Sequence, residues 1–265
     1  MKRLALGMAL SVLCLFSCKK STDPTPASSS VSHDTSHQSF AHVCIDKDAP
    51  GNTAGRTSAA SIASYQWVSG QTIRIKFMNG DPVIQNKVRT IASQWLKYAN
   101  LKFLWVGSNE QANVRIAFNW QGDQGSWSYI GNSVKYIPSN QPTMNFGWFT
   151  TTTPDYDYNA TTLHEFGHLL GLIHEHQNPA ANIQWNTTEV YKYYTGAPNY
   201  WTKEDVDNNI FKKYNSTITN YTAFDAKSVM LYPISPLHTL NNFGTGYNTS
   251  ISSTDAGFVN RRYPF

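Results

Sequence analysis

The amino-acid sequence predicts an α/β (α+β) fold. A β-branched, alternating segment at 72–78 is typical of a strand. Apolar residues at 84–99 then recur with the spacing of a helix, and several short strand-like segments follow them. A second helical pattern, whose apolar residues are Leu163, Phe166, Leu169 and Leu170, lies near 163–170. A strand, a long helix, further strands and a second helix together indicate a mixed sheet-and-helix domain.

The first helix has a recognisable beginning and end. Asp81 is a typical N-cap residue, and Pro82 suits the first helical position. Asn100 suits the end of the helix. The apolar residues that share one face are Ile84, Val88, Ile91, Trp95 and Ala99. Four strands are predicted after this helix, at 101–106, 113–119, 126–130 and 143–148.

Regular structure is predicted to thin out in the last third of the chain. Thr202 and Asp205 form a capping box at the start of a helix. The apolar residues that would continue this helix are Val206, Ile210 and Tyr214. Ser253 to Tyr263 is predicted as a short closing helix, and we expect loops elsewhere.

Composition places the chain among globular proteins with a sizeable core. Its 265 residues are 40% hydrophobic and 14% aromatic, and only 14% are charged. The formal net charge of +4 falls to +2 when Lys2 and Arg3 are removed with a leader segment. So small a charge gives no reason to expect nucleic acid or a membrane surface as a partner.

The first 17 residues are typical of a signal peptide. A short basic start is followed by an apolar stretch, Leu4 to Phe16, that is too short to span a bilayer. The stretch ends in a sequence that resembles a bacterial lipobox, so we predict lipidation of Cys18, with plain secretion as the alternative. Residues 19–39 are rich in Ser, Thr and Pro and would form a tether. We therefore expect a bacterial protein that is anchored at the outer membrane or cell surface, or is extracellular.

The run HEFGHLLGLIHEH carries the spacing of a zinc site. His164 and His168 are four residues apart and share one face of a helix. Gly171 enters the left-handed conformation at low cost, so it can end the helix and let the chain return His174 as a third ligand. Three protein ligands leave the fourth position of one zinc ion open, as in catalytic sites. Glu165 is the candidate general base for water at that position.

This run resembles the HExxHxxGxxHE motif of the metzincin zinc endopeptidases. Ser228 to Tyr232, SVMLY, is similar to the methionine turn of that group, and Tyr232 stands two residues after Met230 as in astacins. Gly125 to Gly131, GSWSYIG, is similar to an astacin segment in which a cysteine replaces the first serine. Glu175 after the third histidine also matches astacins. The chain is therefore identified as a member of a divergent, disulfide-free astacin-like branch, with a matrixin-like protein as the alternative.

The resemblance covers about residues 65–265 and implies a layout in two parts. The upper part, 63–174, would hold a twisted, mainly parallel sheet, a long backing helix and the active-site helix above a cleft. The lower part, 175–265, would be irregular and would end in a C-terminal helix.

The resemblance also implies roles for single residues. Tyr232 would stabilise the oxyanion and act as a fifth metal ligand at rest, and Met230 would form a hydrophobic floor beneath the ion. Glu175 would receive the amino terminus that activation frees. An edge strand would pair with extended substrate through Trp127, Ser128 and Tyr129. The Trp127 side chain has core packing as its alternative, and His176 is expected to be a cleft residue rather than a fourth histidine ligand.

Cysteine usage indicates how the site is kept closed. Cys14 is removed with the signal peptide and Cys18 carries lipid or is lost, so Cys44 is left as a single thiol in the exported chain. A thiolate is a strong zinc ligand, so Cys44 in a pro-segment over 18–62 could fill the fourth position. This arrangement resembles the cysteine switch of matrixins. The alternatives are a latch formed by Asp46 or Asp48, and a thiol with no such role.

The expected function is that of an exported zinc endopeptidase made as a latent zymogen. We expect protein or peptide substrates, an activating protease, a monomeric state, and membrane attachment through lipid alone. The activating cut would follow Lys47 or Arg56, or lie nearer to Ser61. A catalytically silent zinc-binding adhesin and a zinc-stabilised structural lipoprotein are the alternatives from other classes. Intact Glu165 counts against the silent site.

Overall fold

The computed structural model describes Cys44 and residues 65–197, 199–216 and 221–265. Several predicted features lie outside these residues: the signal peptide at 1–17, lipidated Cys18, the tether at 19–39, Asp46 and Asp48, and the cut near Lys47, Arg56 or Ser61.

The described residues form a mixed sheet, which confirms the predicted fold class. Its strands are β1 (Thr72–Phe77), β2 (Lys102–Trp105), β3 (Val114–Phe118), β4 (Ser126–Ser128) and β5 (Met144–Phe146). They lie in the order β2-β1-β3-β5-β4, and all neighbours are parallel except β4, which runs antiparallel to β5 at the edge. Each predicted strand is present, but is shorter at its ends than the apolar pattern indicated.

The first helix begins where the sequence predicted and ends earlier. Helix α1 spans Pro82–Ala92, and the Asp81 carboxylate accepts the Val83 N–H at 2.7 Å. A 3-10 helix, Ser93–Lys97, replaces the α-helical continuation towards Asn100. The Ser93 hydroxyl donates to the Thr90 carbonyl at 2.7 Å and so competes with the regular helical bonds. The prediction of one helix up to Asn100 was therefore wrong in its last two turns.

Helix α2, Asp155–Leu169, packs against α1 and carries the histidine-rich run. The core between these helices and the sheet includes Ile73, Ile75, Val88, Trp95, Leu163 and Phe166, all buried. The Trp95 indole N–H donates to the Leu163 carbonyl at 3.0 Å. Because truncation of a buried aromatic side chain costs about 3–5 kcal/mol, this packing fixes α2 firmly against the sheet.

The described residues of the lower part form three short α-helices among loops and short helical turns. They are α3 (Thr187–Thr195), α4 (Lys203–Val206) and α5 (Ser253–Arg262). The Thr202–Asp205 capping box is present, and α4 continues as a π-helical turn, Asp207–Phe211. The chain leaves the helix there, so the predicted extension to Tyr214 was wrong. The backbone N–H of Tyr214 instead donates to the Gln177 carbonyl at 2.9 Å.

Helix α3 lies where loops were expected from the sequence. Asn186 caps it by accepting the Glu189 N–H, and Val190 and Tyr194, four residues apart, are both buried. These were the available signals, but two apolar positions in nine residues are too few to distinguish a helix from a loop.

Within residues 65–197, 199–216 and 221–265, no helix has both the length and the apolar character needed to cross a bilayer.

Candidate metal centre

Helix α2 presents two imidazoles on one face. His164 and His168 are both buried, and their Nε2 atoms are 3.1 Å apart. The four-residue spacing produces this arrangement, because residues four apart lie one above the other on a helix.

The turn after α2 brings in the third histidine. Gly171 has φ = 89°, in the left-handed region, and the Leu172 N–H donates back to the Gly167 carbonyl at 3.0 Å. The chain then reverses, and the His174 Nε2 atom lies 3.2 Å from that of His168. Gly171 therefore ends the helix in the conformation that the sequence predicted.

The three imidazoles fit a tetrahedral zinc ion. With Zn–N bonds of about 2.0–2.1 Å, tetrahedral ligand nitrogens lie about 3.3 Å apart, close to the observed separations. Each ring also places its other nitrogen, Nδ1, near an acceptor. The acceptors are the Val229 carbonyl at 2.9 Å, the Leu172 carbonyl at 3.0 Å and the Gln177 Oε1 at 3.3 Å. These bonds favour the tautomer that carries its proton on Nδ1 and directs the Nε2 lone pair to the metal position.

Cys44 lies at the same centre. Its thiol and one nitrogen from each of His164, His168 and His174 all lie within 4.8 Å of one another. The cysteine is buried and forms an isolated parallel bridge with Ser126 of β4. The Tyr232 hydroxyl donates to the Cys44 carbonyl. The structure thus brings the predicted latch residue to the metal ligands from more than a hundred residues away along the chain.

Glu165 lies beside this centre. It follows His164 on α2, is fully buried, and lines the same cavity as His164 and Tyr232. The Tyr232 ring packs against His174, with ring centroids 4.4 Å apart. The carboxylate and the phenol that the sequence proposed for catalysis are therefore both next to the metal ligands.

The methionine segment, Ser228–Tyr232, passes beneath α2. Met230 is buried, and its sulfur lies so close to Gly167 that a Cβ atom there would overlap it. Gly167, inside the HEFGH motif, is thus needed to admit the methionine side chain.

A buried aspartate ties the methionine segment to α5. The Asp255 carboxylate accepts the Ser228 hydroxyl at 2.7 Å and the Val229 N–H at 2.9 Å, and it also caps α5 through the Ser252 N–H at 3.1 Å. Burial raises the pKa of Asp255 despite these bonds. Val229 bonds Asp255 through its N–H, and its carbonyl accepts from His164. This one residue therefore connects α5 to the metal centre.

Glu175 lies behind the metal centre. One carboxylate oxygen accepts the Asn178 side-chain N–H at 2.9 Å and the Asp225 backbone N–H at 2.8 Å. Burial raises the pKa of Glu175 to about 7. His176 places Nε2 2.8 Å from the Asn209 carbonyl, and it is not among the four residues grouped at the metal centre.

The edge strand β4 forms the upper rim of the site. The Trp127 side chain is buried, and its indole N–H donates to the Asp123 carboxylate at 2.8 Å. Ser128 is buried as well, whereas Tyr129 is half-buried. Any contact between this strand and an extended peptide therefore involves its backbone rather than the indole of Trp127.

Three residues at this site were not found from the sequence: Gly167, Gln177 and Asp255. Gly167 and Asp255 act through contacts with residues far away in the sequence, and Gln177 acts through the orientation of its side chain. Such contacts leave no periodic pattern in the sequence. The capping box at Ser252 and Asp255 was available as a signal for the start of α5, but not for the bond to Val229.

Comparison with known proteins identifies the group. The matrixin family model matches residues 66–207, more than half of the chain. A solved structure of myroilysin is 45% identical with a TM-score of 0.74, over 77% of this chain and 98% of that one. The chain belongs to the metzincin-type zinc metallopeptidases. Zinc is the cofactor of this group, and His164, His168 and His174 of this metzincin can bind it.

More distant relatives agree with this assignment. Serralysin B from Dickeya chrysanthemi is 27% identical over 133 residues, and Serralysin A from the same organism is 28% identical over 131. The metzincin spans about a quarter of the length of these curated relatives. High choriolytic enzyme 1, a hatching enzyme zinc-protease from Oryzias latipes, has a TM-score of 0.53 at 15% identity and shares the fold alone. The matching family model is that of our alternative, the matrixins, and the astacin-like subtype remains a prediction.

Proposed function

We propose that this metzincin is a zinc-dependent endopeptidase, made as a latent zymogen, that hydrolyses peptide bonds in proteins. The observation that carries the proposal is the cluster of three histidine nitrogens beside the buried carboxylate of Glu165. The Cys44 thiol lies within the same cluster. A structural zinc site needs no adjacent carboxylate, whereas hydrolysis needs a base within reach of the attacking water.

The chain's own residues supply the proton transfers. Zinc held by His164, His168 and His174 would polarise the scissile carbonyl and lower the pKa of a water towards about 7. Glu165 accepts the proton of the attacking water and then delivers it to the leaving amine. Tyr232, whose hydroxyl now donates to the Cys44 carbonyl, donates to the developing oxyanion once Cys44 has left. Met230 forms the apolar floor beneath the three imidazoles.

Extended substrate lies along the edge strand β4. The bridge between Cys44 and Ser126 supports this placement, because it pairs the backbone of Cys44 with this edge. Main-chain groups of Trp127, Ser128 and Tyr129 then bind the peptide, as in strand addition to other sheet edges.

Latency comes from Cys44 as the fourth zinc ligand. For Zn–S near 2.3 Å and Zn–N near 2.0 Å, tetrahedral sulfur and nitrogen atoms lie about 3.6 Å apart. The Cys44 thiol and the three histidine nitrogens all lie within 4.8 Å of one another, so the thiolate is placed to reach a zinc ion held by the three imidazoles. A thiolate in the fourth position excludes water, and Asp46 or Asp48 is not needed for latency.

Activation removes the pro-segment after export. We place the protein outside the cytoplasm as a monomer, held by lipid at Cys18 or released, with a cut by another protease near Lys47, Arg56 or Ser61. The freed amino terminus pairs with Glu175, whose present partners are two N–H groups. Tyr232 and the segment around Trp127 support an astacin-like subtype.

Casein hydrolysis tests the proposal. Full-length protein is treated by limited proteolysis, and we expect cleavage that a chelator abolishes and zinc restores. Glu165→Gln keeps its zinc but loses about 10²–10⁴-fold in rate, because general-base catalysis contributes about that much. Glu204→Gln, an exposed change in α4, is the matched control and retains full activity. Processed wild-type protein that binds zinc and leaves casein intact would support the silent adhesin instead.

A further inference from the structure

A side cavity opens beside the metal centre. It lies between α2, the methionine segment and the loop that contains Tyr247, and it reaches His164 and Glu165. The residues of its wall away from the metal are Trp148, Thr161, Leu231, Pro233, Tyr247 and Asn248. A substrate side chain adjacent to the scissile bond would enter this space, because Glu165 and His164 form its inner end.

Tyr247 is half-buried, and its hydroxyl differs from those of two fully buried core tyrosines. Tyr158 donates its hydroxyl to the Thr150 carbonyl at 2.7 Å, and Tyr263 donates to the Leu170 carbonyl at 2.9 Å. The Tyr247 hydroxyl oxygen is inaccessible to solvent, yet no group in the described part of the chain forms a hydrogen bond with it. A buried polar group without a partner is costly, so a ligand that supplies one is favoured over a ligand that does not.

The charges around the side cavity restrict that ligand. No residue of its wall in the described part of the chain is a lysine or an arginine. Burial raises the pKa of Tyr247, and the negative charge of Asp157 raises it further, so the hydroxyl stays protonated. An acidic side chain finds no cation here, and an apolar side chain leaves the hydroxyl without a partner.

We propose that Tyr247 is a specificity-determining residue that selects substrates with a carboxamide side chain, glutamine or asparagine, next to the scissile bond. The Tyr247 hydroxyl donates to the amide oxygen, while the apolar wall formed by Trp148, Leu231 and Pro233 packs on the methylene groups. This inference rests on the proposed endopeptidase function. Cys44 forms part of the same wall, so its departure on activation widens the entrance.

Matched peptides test the selection. A casein-derived peptide with one mapped cleavage site is varied at each position flanking the bond to Gln, Met or Glu, and kcat/KM is measured with processed full-length protein. At one position we expect the wild type to prefer Gln over Met by about tenfold or more, since a site built to bond a polar group discriminates strongly against analogues that lack it. Glu is cleaved more slowly than either.

Variants separate specificity from structure. In Tyr247→Phe the Gln-to-Met ratio falls to about one and the melting temperature does not fall, because the lost hydroxyl had no partner. Tyr136→Phe, which removes an exposed hydroxyl, keeps the wild-type ratio.

Two results would overturn the selection by Tyr247. One is an unchanged Gln-to-Met ratio in Tyr247→Phe, and the other is a wild type that prefers Met or Glu at every position. Failure to cleave casein and all peptides would instead count against the endopeptidase function.

Discussion

The two halves of the metal centre are held in place by different means. The upper half presents His164, Glu165 and His168 from one face of α2, which packs on the sheet through a continuous apolar core. The lower half surrounds the same centre with loops, and single hydrogen bonds from side chains to backbone or to other side chains fix those loops. Many interchangeable contacts hold the first, whereas a few specific contacts hold the second.

Two carboxylates show how the lower half works. Asp255 accepts bonds from Ser228 and Val229, and Glu175 accepts bonds from Asn178 and Asp225. A buried acceptor that serves two loop donors cannot be replaced by packing, because its removal leaves both donors unpaired. The lower half should therefore be more sensitive to single polar substitutions than the upper half.

The largest effect is expected from Asp255→Ala. The change leaves the Ser228 hydroxyl and the Val229 N–H without their acceptor, and we expect a loss of about 3 kcal/mol in the free energy of unfolding. Zinc affinity should fall by about 10–100-fold, since Val229 orients His164. Urea denaturation and zinc titration measure the two effects.

Asp205→Ala is the matched control for Asp255→Ala. Asp205 occupies the same position in the other capping box but bonds only within its own box, so we expect about 1 kcal/mol. Equal losses for the two variants would contradict the special role of Asp255.

A smaller effect is expected from Gly167→Ala, where the two halves meet. The added methyl group overlaps the Met230 sulfur, and overpacking of this kind costs about 1–3 kcal/mol. Thermal unfolding measures the loss. In Gly257→Ala the new methyl group meets only the Arg261 side chain, at 3.6 Å, so this helical glycine should tolerate alanine or gain stability. If Gly167→Ala behaved like this control, Met230 would not pack as described.

The smallest effect on stability is expected from Gly171→Ala. Alanine at φ = 89° costs about 1–2 kcal/mol, and it displaces the turn that returns His174 to the metal. Gly70→Ala is the matched control, because φ is 83° and nothing lies within 4 Å of the added group. Both variants should lose similar stability, but zinc affinity should fall only in Gly171→Ala. A loss of zinc affinity in both would show a general rather than a local effect.

The same contrast explains what the sequence could predict. The strands and α1 were predicted from the periodic spacing of apolar residues. The candidate ligands were predicted from the spacing of His164, His168 and His174 and from the position of Gly171 between them. Helix α3 was missed because only Val190 and Tyr194 mark its buried face. The sequence also gave no sign that Asp255 contacts Val229, since nothing local to either residue requires it. Structure that leaves a periodic pattern in the sequence was predictable, whereas a contact between two residues that are far apart in the sequence was not.

The central claim is a three-histidine zinc centre closed by Cys44. Full-length protein loaded with Co²⁺ in place of zinc tests it most directly, because a thiolate ligand adds a charge-transfer band to the near-ultraviolet absorption spectrum. We predict this band in the wild type, its loss in Cys44→Ser, and its loss after proteolytic processing. Identical spectra for full-length wild type and Cys44→Ser would contradict the claim.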